Sequence, residues 1–306
     1  MRACGQRFWP FANRGSSAGI KTLLISVSYD ELSYAEMQDR YHAEGMLMMF
    51  TLAVVAAAAL LFLGTLALLE IGQRLGHRHR TLDPTRELTG LGVFDGAVFT
   101  LLGLLLAFTF AGAASRFETR RDLVGQEANE IGTAYLRIDV LAAEDRAPLR
   151  ALFRDYLDAR IDSYRGDVYA PRAVQARERT AALQGQIWSS AVTGCMRAPQ
   201  SSACMLLLPS INSMFDITTT RLVATWNHPP LVIHVLLVLL TLVAGLLSGY
   251  GTAENPHRSW LHRLAFAGSM AGALFVILDL EYPRLGLIRV DAVDQVLVDL
   301  RQSFGE

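Results

Sequence analysis

Cysteine, charge and the signatures of catalysis are all scarce in this sequence. Its three cysteines, Cys4, Cys195 and Cys204, are too few for a disulfide scaffold and do not make a metal-spaced set. Cys195 and Cys204 can pair only if their loop is extracytoplasmic; in a reducing cytosol both stay as thiols, and that is the expectation. There is no phosphate-cradling glycine loop, no Cys/His metal spacing and no G-x-S-x-G elbow. An enzyme therefore has little support, and no cofactor or metal is implied. Charged residues make up 19% of the chain, where soluble domains usually carry about 25%. The net charge of −1 and a pI near 6.7 leave no global field to attract nucleic acid. A secretory signal is missing too: Thr22 to Val27 is too short for an apolar h-region and no small-residue cleavage site follows it.

Hydrophobic residues, by contrast, reach 52%, with a mean hydropathy of +0.28. The charge deficit falls in four windows, which is the pattern of a membrane protein. The spans read as Met46–Leu69, a second from about Gly92 to Ala114, Leu231–Gly249 and Trp260–Leu280. Residues 1–45 have no period. Met46 stands directly before the first span, so a start there is the alternative to a short polar regulatory segment. A polar loop is expected after Glu70, containing Gln73, Arg74, His77, Arg78, His79, Arg80, Asp83, Arg86 and Glu87. His77 and His79 invite a metal reading, but neighbouring arginines repel a cation and no carboxylate sits beside them, so a solvated basic loop is expected.

The second span organises the chain. From Ala97 to Ala114 it carries no charge, and with Leu91–Gly96 it is long enough for a hydrocarbon core of about 30 Å. At helical spacing one face runs Asp95, Phe99, Leu102, Leu106, Thr109, Ala113, Arg116, Arg120. The adjacent face is nearly bald, with Gly96, Thr100, Gly103, Ala107, Ala111 and Ala114. Small residues at that spacing let another helix approach closely in lipid. A plain lipid-exposed anchor does not need them.

No proline occurs from Gly92 until Pro148, and Leu123, Ala128, Ile131, Tyr135, Ile138 and Leu141 continue the helical period. The spacing predicts a helix that runs on beyond the membrane. A restart is expected at Ala143-Glu144-Asp145, with acids favoring the N-terminal dipole, and another helix at Pro171. Gly194–Ser202 reads as a loop, and Leu206–Trp226 as a further amphipathic helix. Glu127 and Glu130 lie one turn apart. They could act as ligands or as acid and base, but with Arg137 two turns on, an internal salt-bridge network is the expected role. His234, one turn into the third span, is a functional hypothesis by position; a neutral, interface-bonded histidine is the plainer reading.

The fold class expected is thus all-α: four transmembrane helices plus a helical cytosolic domain inserted between spans two and three. The boundaries are an ill-defined tail at 1–45, a transmembrane hairpin at 46–114, the helical domain at 115–229, a second hairpin at 230–281 and an amphipathic tail at 282–306. Four spans put both termini on one side. Arg40, Arg116, Arg120, Arg121, Arg221, Arg284 and Arg289 lie near the membrane on the side of the termini, against Arg74, Arg78, Arg80, Arg86 and Arg258 opposite, with Arg263 borderline. That bias favors termini and domain in the cytoplasm.

The strings LLGLLLAFTFAGAASRFETRR (Leu101–Arg121), EANEIGTAYLRIDVL (Glu127–Leu141), LLPSINSMFDITTTR (Leu207–Arg221), HPP (His228–Pro230) and ILDLEYPRLGLIRVDAVDQ (Ile277–Gln295) resemble a bacterial membrane family named bestrophin-like. The likeness covers the chain from Met46 onward. Bestrophins are pentameric anion channels in animals, with cation-selective bacterial relatives, four spans per subunit and cytosolic termini. The resemblance implies a homo-oligomer, a pentamer, in a bacterial inner membrane, with inorganic ions and the lipid bilayer as partners. It also implies a pore lined by the second span, whose apolar residues make a narrow neck. Asp95, Phe99, Leu102, Leu105, Leu106, Phe108, Thr109, Arg116 and Arg120 are the lining candidates, and Gly96, Gly103, Ala107 and Ala111 the close-packing ones. Glu281-Tyr282-Pro283 stands where bestrophins carry Glu-Asn-Pro-Phe, with Tyr282 for Asn and Arg284 for Phe. The acidic run that binds calcium in the animal proteins is thinned to Asp291 and Asp294, which argues against calcium control.

An oligomeric ion channel is therefore the leading expectation. An apolar constriction would gate or filter by dewetting, with an Asp95 ring favoring cations at one mouth and Arg116 with Arg120 favoring anions at the other. The alternative is a membrane-anchored scaffold or sensor whose helical domain binds a partner.

Overall fold

The structure is a computed structural model that describes residues 17–82, 91–165, 170–197, 201–254 and 260–305. The expected loop residues Asp83, Arg86 and Glu87, the turn at Asn255-Pro256, Arg258 and the first sixteen residues lie outside the described ones. The chain divides into two units, Met1–Glu44 and Gly45–Glu306. Everything below concerns the second.

Among the described residues there are helices and turns and no strand. The helices are α1 (Ser17–Leu82), α2 (Leu91–Arg137), α3 (Ala143–Tyr164), α4 (Pro171–Arg197), α5 (Ser201–Trp226), α6 (Leu231–Gly251), α7 (Trp260–Glu281) and α8 (Asp291–Ser303). Four of them contain stretches long and apolar enough to cross a membrane. Their large side chains are turned outward, Leu60 at 71%, Leu231 at 75% and Leu261 at 75% exposure. Such faces are stable in acyl chains and costly in water.

At 47 residues, α2 is about 70 Å long, more than twice a hydrocarbon core of about 30 Å. It crosses with its apolar N-terminal half and runs on, as the absence of proline predicts. A 3₁₀ turn at Ile138–Val140 ends it. The next helix starts at Ala143 with Glu144 and Asp145 in its first turn, and α4 starts at Pro171, both at the predicted positions.

Three stretches differ from expectation. The polar segment after Glu70 is not a loop: α1 continues to Leu82. Arg74, His77, Arg78 and His79 face outward, Glu70 pairs with Arg74 one turn on at 2.9 Å and with Arg263 of α7 at 2.9 Å, and Gly72 and Gly76 are buried against α6. One helix face thus packs while the other is solvated. The predicted loop from Gly194 is shorter, because α4 persists to Arg197 and α5 begins at Ser201. Cys195 and Cys204, expected as thiols, form a disulfide with a Cα–Cα distance of 5.6 Å. The short α4–α5 connection holds the two helix ends side by side within bridging reach.

Two apolar cores result. One fills the bundle outside the membrane, where Ile131, Phe153, Tyr156, Ile187, Leu207 and Met214 are fully buried. Leu297 and Phe304 belong to the same core, and Phe304 stacks on Tyr135 at 3.7 Å. The C-terminal segment is therefore a packed part of the bundle, not an appended tail. The second core lies among the spans, around Leu61, Leu102, Ala113, Leu237, Leu274 and Ile277.

Candidate functional site

Within the membrane α2 packs on α6 and α7, which turns one face inward and leaves the other free. Leu102, at 3% exposure, and Ala113 are buried there. Thr109 is buried too, its hydroxyl donating to the Leu105 carbonyl at 2.7 Å. Phe99 is half-buried and meets Phe266 of α7 edge to face at 6.1 Å. Leu105, Leu106 and Asp95 are also half-buried. The free face carries Gly96, Thr100, Leu101, Gly103, Leu104, Ala107, Phe108 and Ala111, all exposed, with Phe108 at 69%. Among the described residues, a Cβ on Gly96 or Gly103, two of the small residues expected to pack closely, would meet nothing within 4 Å.

The close helix contact within the chain belongs elsewhere, to α1 and α6. A Cβ on Gly72 would collide with the Leu246 carbonyl oxygen and lie 2.9 Å from the Tyr250 nitrogen. One on Gly249 would collide with the Leu69 carbonyl oxygen, and one on Gly245 would come within 3.3 Å of the Thr65 oxygen. Two small-residue pairs, four apart on each helix, form this seam. That spacing was visible in the sequence, but Gly72 and Gly76 fell in a segment read as loop.

Where α2 leaves the membrane, it enters a dense polar junction. Arg116 donates through Nε to both Glu281 carboxylate oxygens, at 2.9 and 3.2 Å. Glu281, 1% exposed, also has the His228 Nδ1 at 3.5 Å. His228 in turn stacks on Tyr282. Arg120 donates to the main-chain oxygens of Ala224 at 3.0 Å, Glu281 at 3.0 Å and Asn227 at 3.1 Å. These carbonyls lie at the C-terminal ends of α5 and α7, which lack intrahelical donors and carry the negative end of the helix dipole. A guanidinium between two such ends satisfies both.

Leu102, Thr109 and Arg120, among the lining candidates expected from sequence, are thus buried against the chain's own helices rather than on the free face of α2. The helical repeat groups residues onto faces but does not say which face meets α6 and α7.

One turn or two deeper, Glu127 bonds both Arg160 and Arg221. All three are at least 96% buried by side-chain exposures of 0%, 3% and 4%. Burial pushes the Glu127 carboxyl up, yet the two guanidinium groups outweigh it and hold the group down to about 2. Arg221 continues to Asp294 at 3.3 Å, and Asp294 accepts from Arg284 at 2.9 and 3.3 Å. The Tyr164 ring lies under all three cations, 3.8 Å from Arg221 and 5.1 Å from each of Arg160 and Arg284. The expected network thus exists with other partners: Arg137 instead donates to the Leu206 carbonyl, and Glu130 lies half-exposed outside it. Arg160 and Arg221 carried no spacing signal, being 33 and 94 residues from Glu127.

Asp294 is consumed by two arginines, so it does not offer a free carboxylate to a cation. Among the described residues no cluster of His, Cys, Asp and Glu could hold a metal ion. Asp279 is used otherwise: its carboxylate accepts the main-chain N–H groups of Leu287 and Ile288, both at 2.8 Å, and so ties down the turn that follows α7.

A model of the Bestrophin-like domain matches residues 57–294, which takes in the latter part of the first span, the other three spans and the junction. The chain belongs to the bestrophin-like family. Two crystal structures of mutant forms of a bacterial bestrophin homolog from Klebsiella pneumoniae share the fold. One superposes with a TM-score of 0.61 at 12% identity, covering 81% of this chain and 98% of the homolog. The other gives 0.59 at 14% identity, covering 82% and 100%. No curated protein matches the sequence. At such identities the shared feature is the bestrophin architecture, within which the bestrophin-like chain described here builds its own junction.

Proposed function

We propose that this bestrophin-like chain is the subunit of an oligomeric ion channel whose path is lined by the free face of α2. The observation that carries the reading is the contrast between the two sides of that helix. One side is packed on α6 and α7, whereas Leu101, Leu104 and Phe108 project outward, each more than half exposed. Beside them Gly96, Gly103, Ala107 and Ala111 offer a surface smooth enough for a second copy of α2 to approach. Leu101, Leu104 and Phe108, with half-buried Leu105, then form the apolar neck around the axis, and water leaves such a constriction readily. The family resemblance supports a ring of five.

The charges along the path favor cations. Arg120 is withdrawn into the junction and Arg116 is neutralised by Glu281, which leaves a weak positive ring at that mouth. Asp95 stands at the other end. Below the neck the free face continues through Glu118 and Asp122, both exposed, with only Arg121 opposing them.

The helical domain and both termini lie in the cytoplasm of the bacterial inner membrane in this reading, supported by the arginine bias. The Cys195–Cys204 bond is the one feature that points the other way.

The test is reconstitution of the full chain in planar bilayers under a potassium chloride gradient. Ionic current with a cation-selective reversal potential is expected, and Phe108→Ala raises the unitary conductance severalfold. Currents no larger than those of protein-free bilayers, for both forms, would end the channel reading. A monomer or dimer with no axial path would favor the scaffold alternative.

A further inference from the structure

A cavity of about 440 Å³ opens between α1, α6 and α7 at the level where the spans meet the junction. Its walls are apolar, made by Ala57, Val235, Leu239 and Leu278 among others, and one end is polar, made by His228, His234 and Glu281. Volume and lining fit the range of small-molecule sites, which are mostly apolar with a few converging polar groups. The rim is lipid-facing, since Leu231, Val235 and Leu239 are 75%, 47% and 53% exposed.

His234 supplies the second observation. Its Nε2 is shielded from solvent and has no hydrogen-bond partner among the described residues. A buried polar nitrogen left unpaired costs free energy, so a ligand that pairs with it recovers that loss.

The charge at the polar end decides the class of head group. Glu281 is already matched by Arg116 and approached by His228. A carboxylate, phosphate or ammonium placed there would be a further charge with nothing to balance it, which is costly beside apolar walls. An uncharged head is required. A hydroxyl both donates and accepts, so it pairs with His234 Nε2 in either imidazole tautomer and can also donate toward the Glu281 carboxylate. An alkyl chain attached to it lies along Val235, Leu239 and Leu278.

We propose that this cavity is a lateral binding site for a membrane lipid with an uncharged hydroxyl head, held by His234. The site uses none of the residues on the free face of α2, since its lining comes from α1, α6, α7 and the segments that flank them. It therefore does not rest on the channel reading.

The experiment uses the full chain in phosphatidylcholine vesicles at pH 8, labelled with an octadecanol carrying a diazirine in its chain. After illumination, mass spectrometry locates the adduct, which is expected on α6 or α7 peptides spanning Val235–Leu239 or Leu274–Leu278. Oleyl alcohol competes, while oleate and oleylamine, with the same tail but charged heads, compete at least tenfold less well. His234→Leu lowers labelling fivefold or more and His234→Gln, which keeps a hydrogen-bonding group, restores most of it. Val235→Trp fills the cavity from its exposed rim and abolishes labelling, so the outcome does not depend on whether the histidine variant folds. Labelling unchanged by the variants, or displaced equally by all three competitors, overturns the proposal.

Discussion

Gly249 of α6 faces the main-chain oxygen of Leu69 on α1 with no space for even a methyl group between them. Gly72 makes the reciprocal approach to the Leu246 oxygen. In lipid, where hydrocarbon surrounds both helices, such backbone proximity is what van der Waals packing has to offer as an attractive force.

Gly249→Ala and Gly72→Ala are accordingly expected to push the helices apart, at a cost of about 1–3 kcal/mol each for overpacking. Gly103→Ala, whose Cβ meets nothing within 4 Å among the described residues, leaves the stability of the single chain unchanged. Thermal melting in detergent distinguishes the two classes. Equal melting temperatures for Gly249→Ala and Gly103→Ala would contradict the seam.

Glu127 is the single anion between Arg160 and Arg221. Glu127→Gln keeps the shape and removes the charge, leaving two buried guanidinium groups uncompensated on that side. A loss of about 3–5 kcal/mol is expected, read by urea denaturation. Arg137→Ala, outside this network, costs far less.

The same carboxyl sets an acid limit. Its folded value near 2 lies below the ordinary 4.5, so the unfolded chain takes up its proton first as pH falls. The stability from Glu127 is therefore complete above about pH 4.5 and is lost progressively between there and about 2. Denaturation midpoints measured from pH 7 down to 3 should fall below pH 4.5 in the native protein and less steeply in Glu127→Gln. Identical slopes would remove Glu127 as a source of acid sensitivity.

The turn after α7 depends on contact between Asp279 and Gly286. A Cβ on Gly286 would strike the Asp279 carboxylate that holds the Leu287 and Ile288 amides. Gly286→Ala should loosen this turn and the start of α8, seen as faster amide hydrogen exchange at Leu287 and Ile288. Unchanged protection there would mean the turn has another support.

The Cys195–Cys204 bridge closes a short loop, and by chain entropy it stabilises the bundle by about 2–3 kcal/mol. Purified protein should take up no alkylating reagent at these positions until a reductant is added, and reduction should lower the melting temperature of the helical domain. Free thiols before reduction would return both residues to the state expected from sequence.

Much of the architecture was legible in the chain. Four uncharged windows named the spans. The proline-free run after Gly92 gave the long α2, and Ala143 and Pro171 marked helix starts. Each of these signals is local, carried by residues within a turn or two of one another. The misreadings share a cause: polar composition after Glu70 hid a helix whose burial is confined to Gly72 and Gly76, residues too small to register in a hydrophobic count. On α2 the helical period put Leu102, Thr109 and Arg120 on one face and the glycine stripe on its neighbour, and the first three are buried against the chain's own helices while Gly96 and Gly103 are exposed.

The order of amino acids alone determined that this protein is helical and crosses a membrane four times, because transfer into hydrocarbon and backbone hydrogen bonding act on contiguous segments. Only the tertiary structure decided which side of α2 is free, that Arg120 joins two helix ends, and that Glu127 finds Arg160 and Arg221. Those outcomes depend on groups far apart in the chain, and no local period encodes which of several equally charged partners will be brought together when the helices dock.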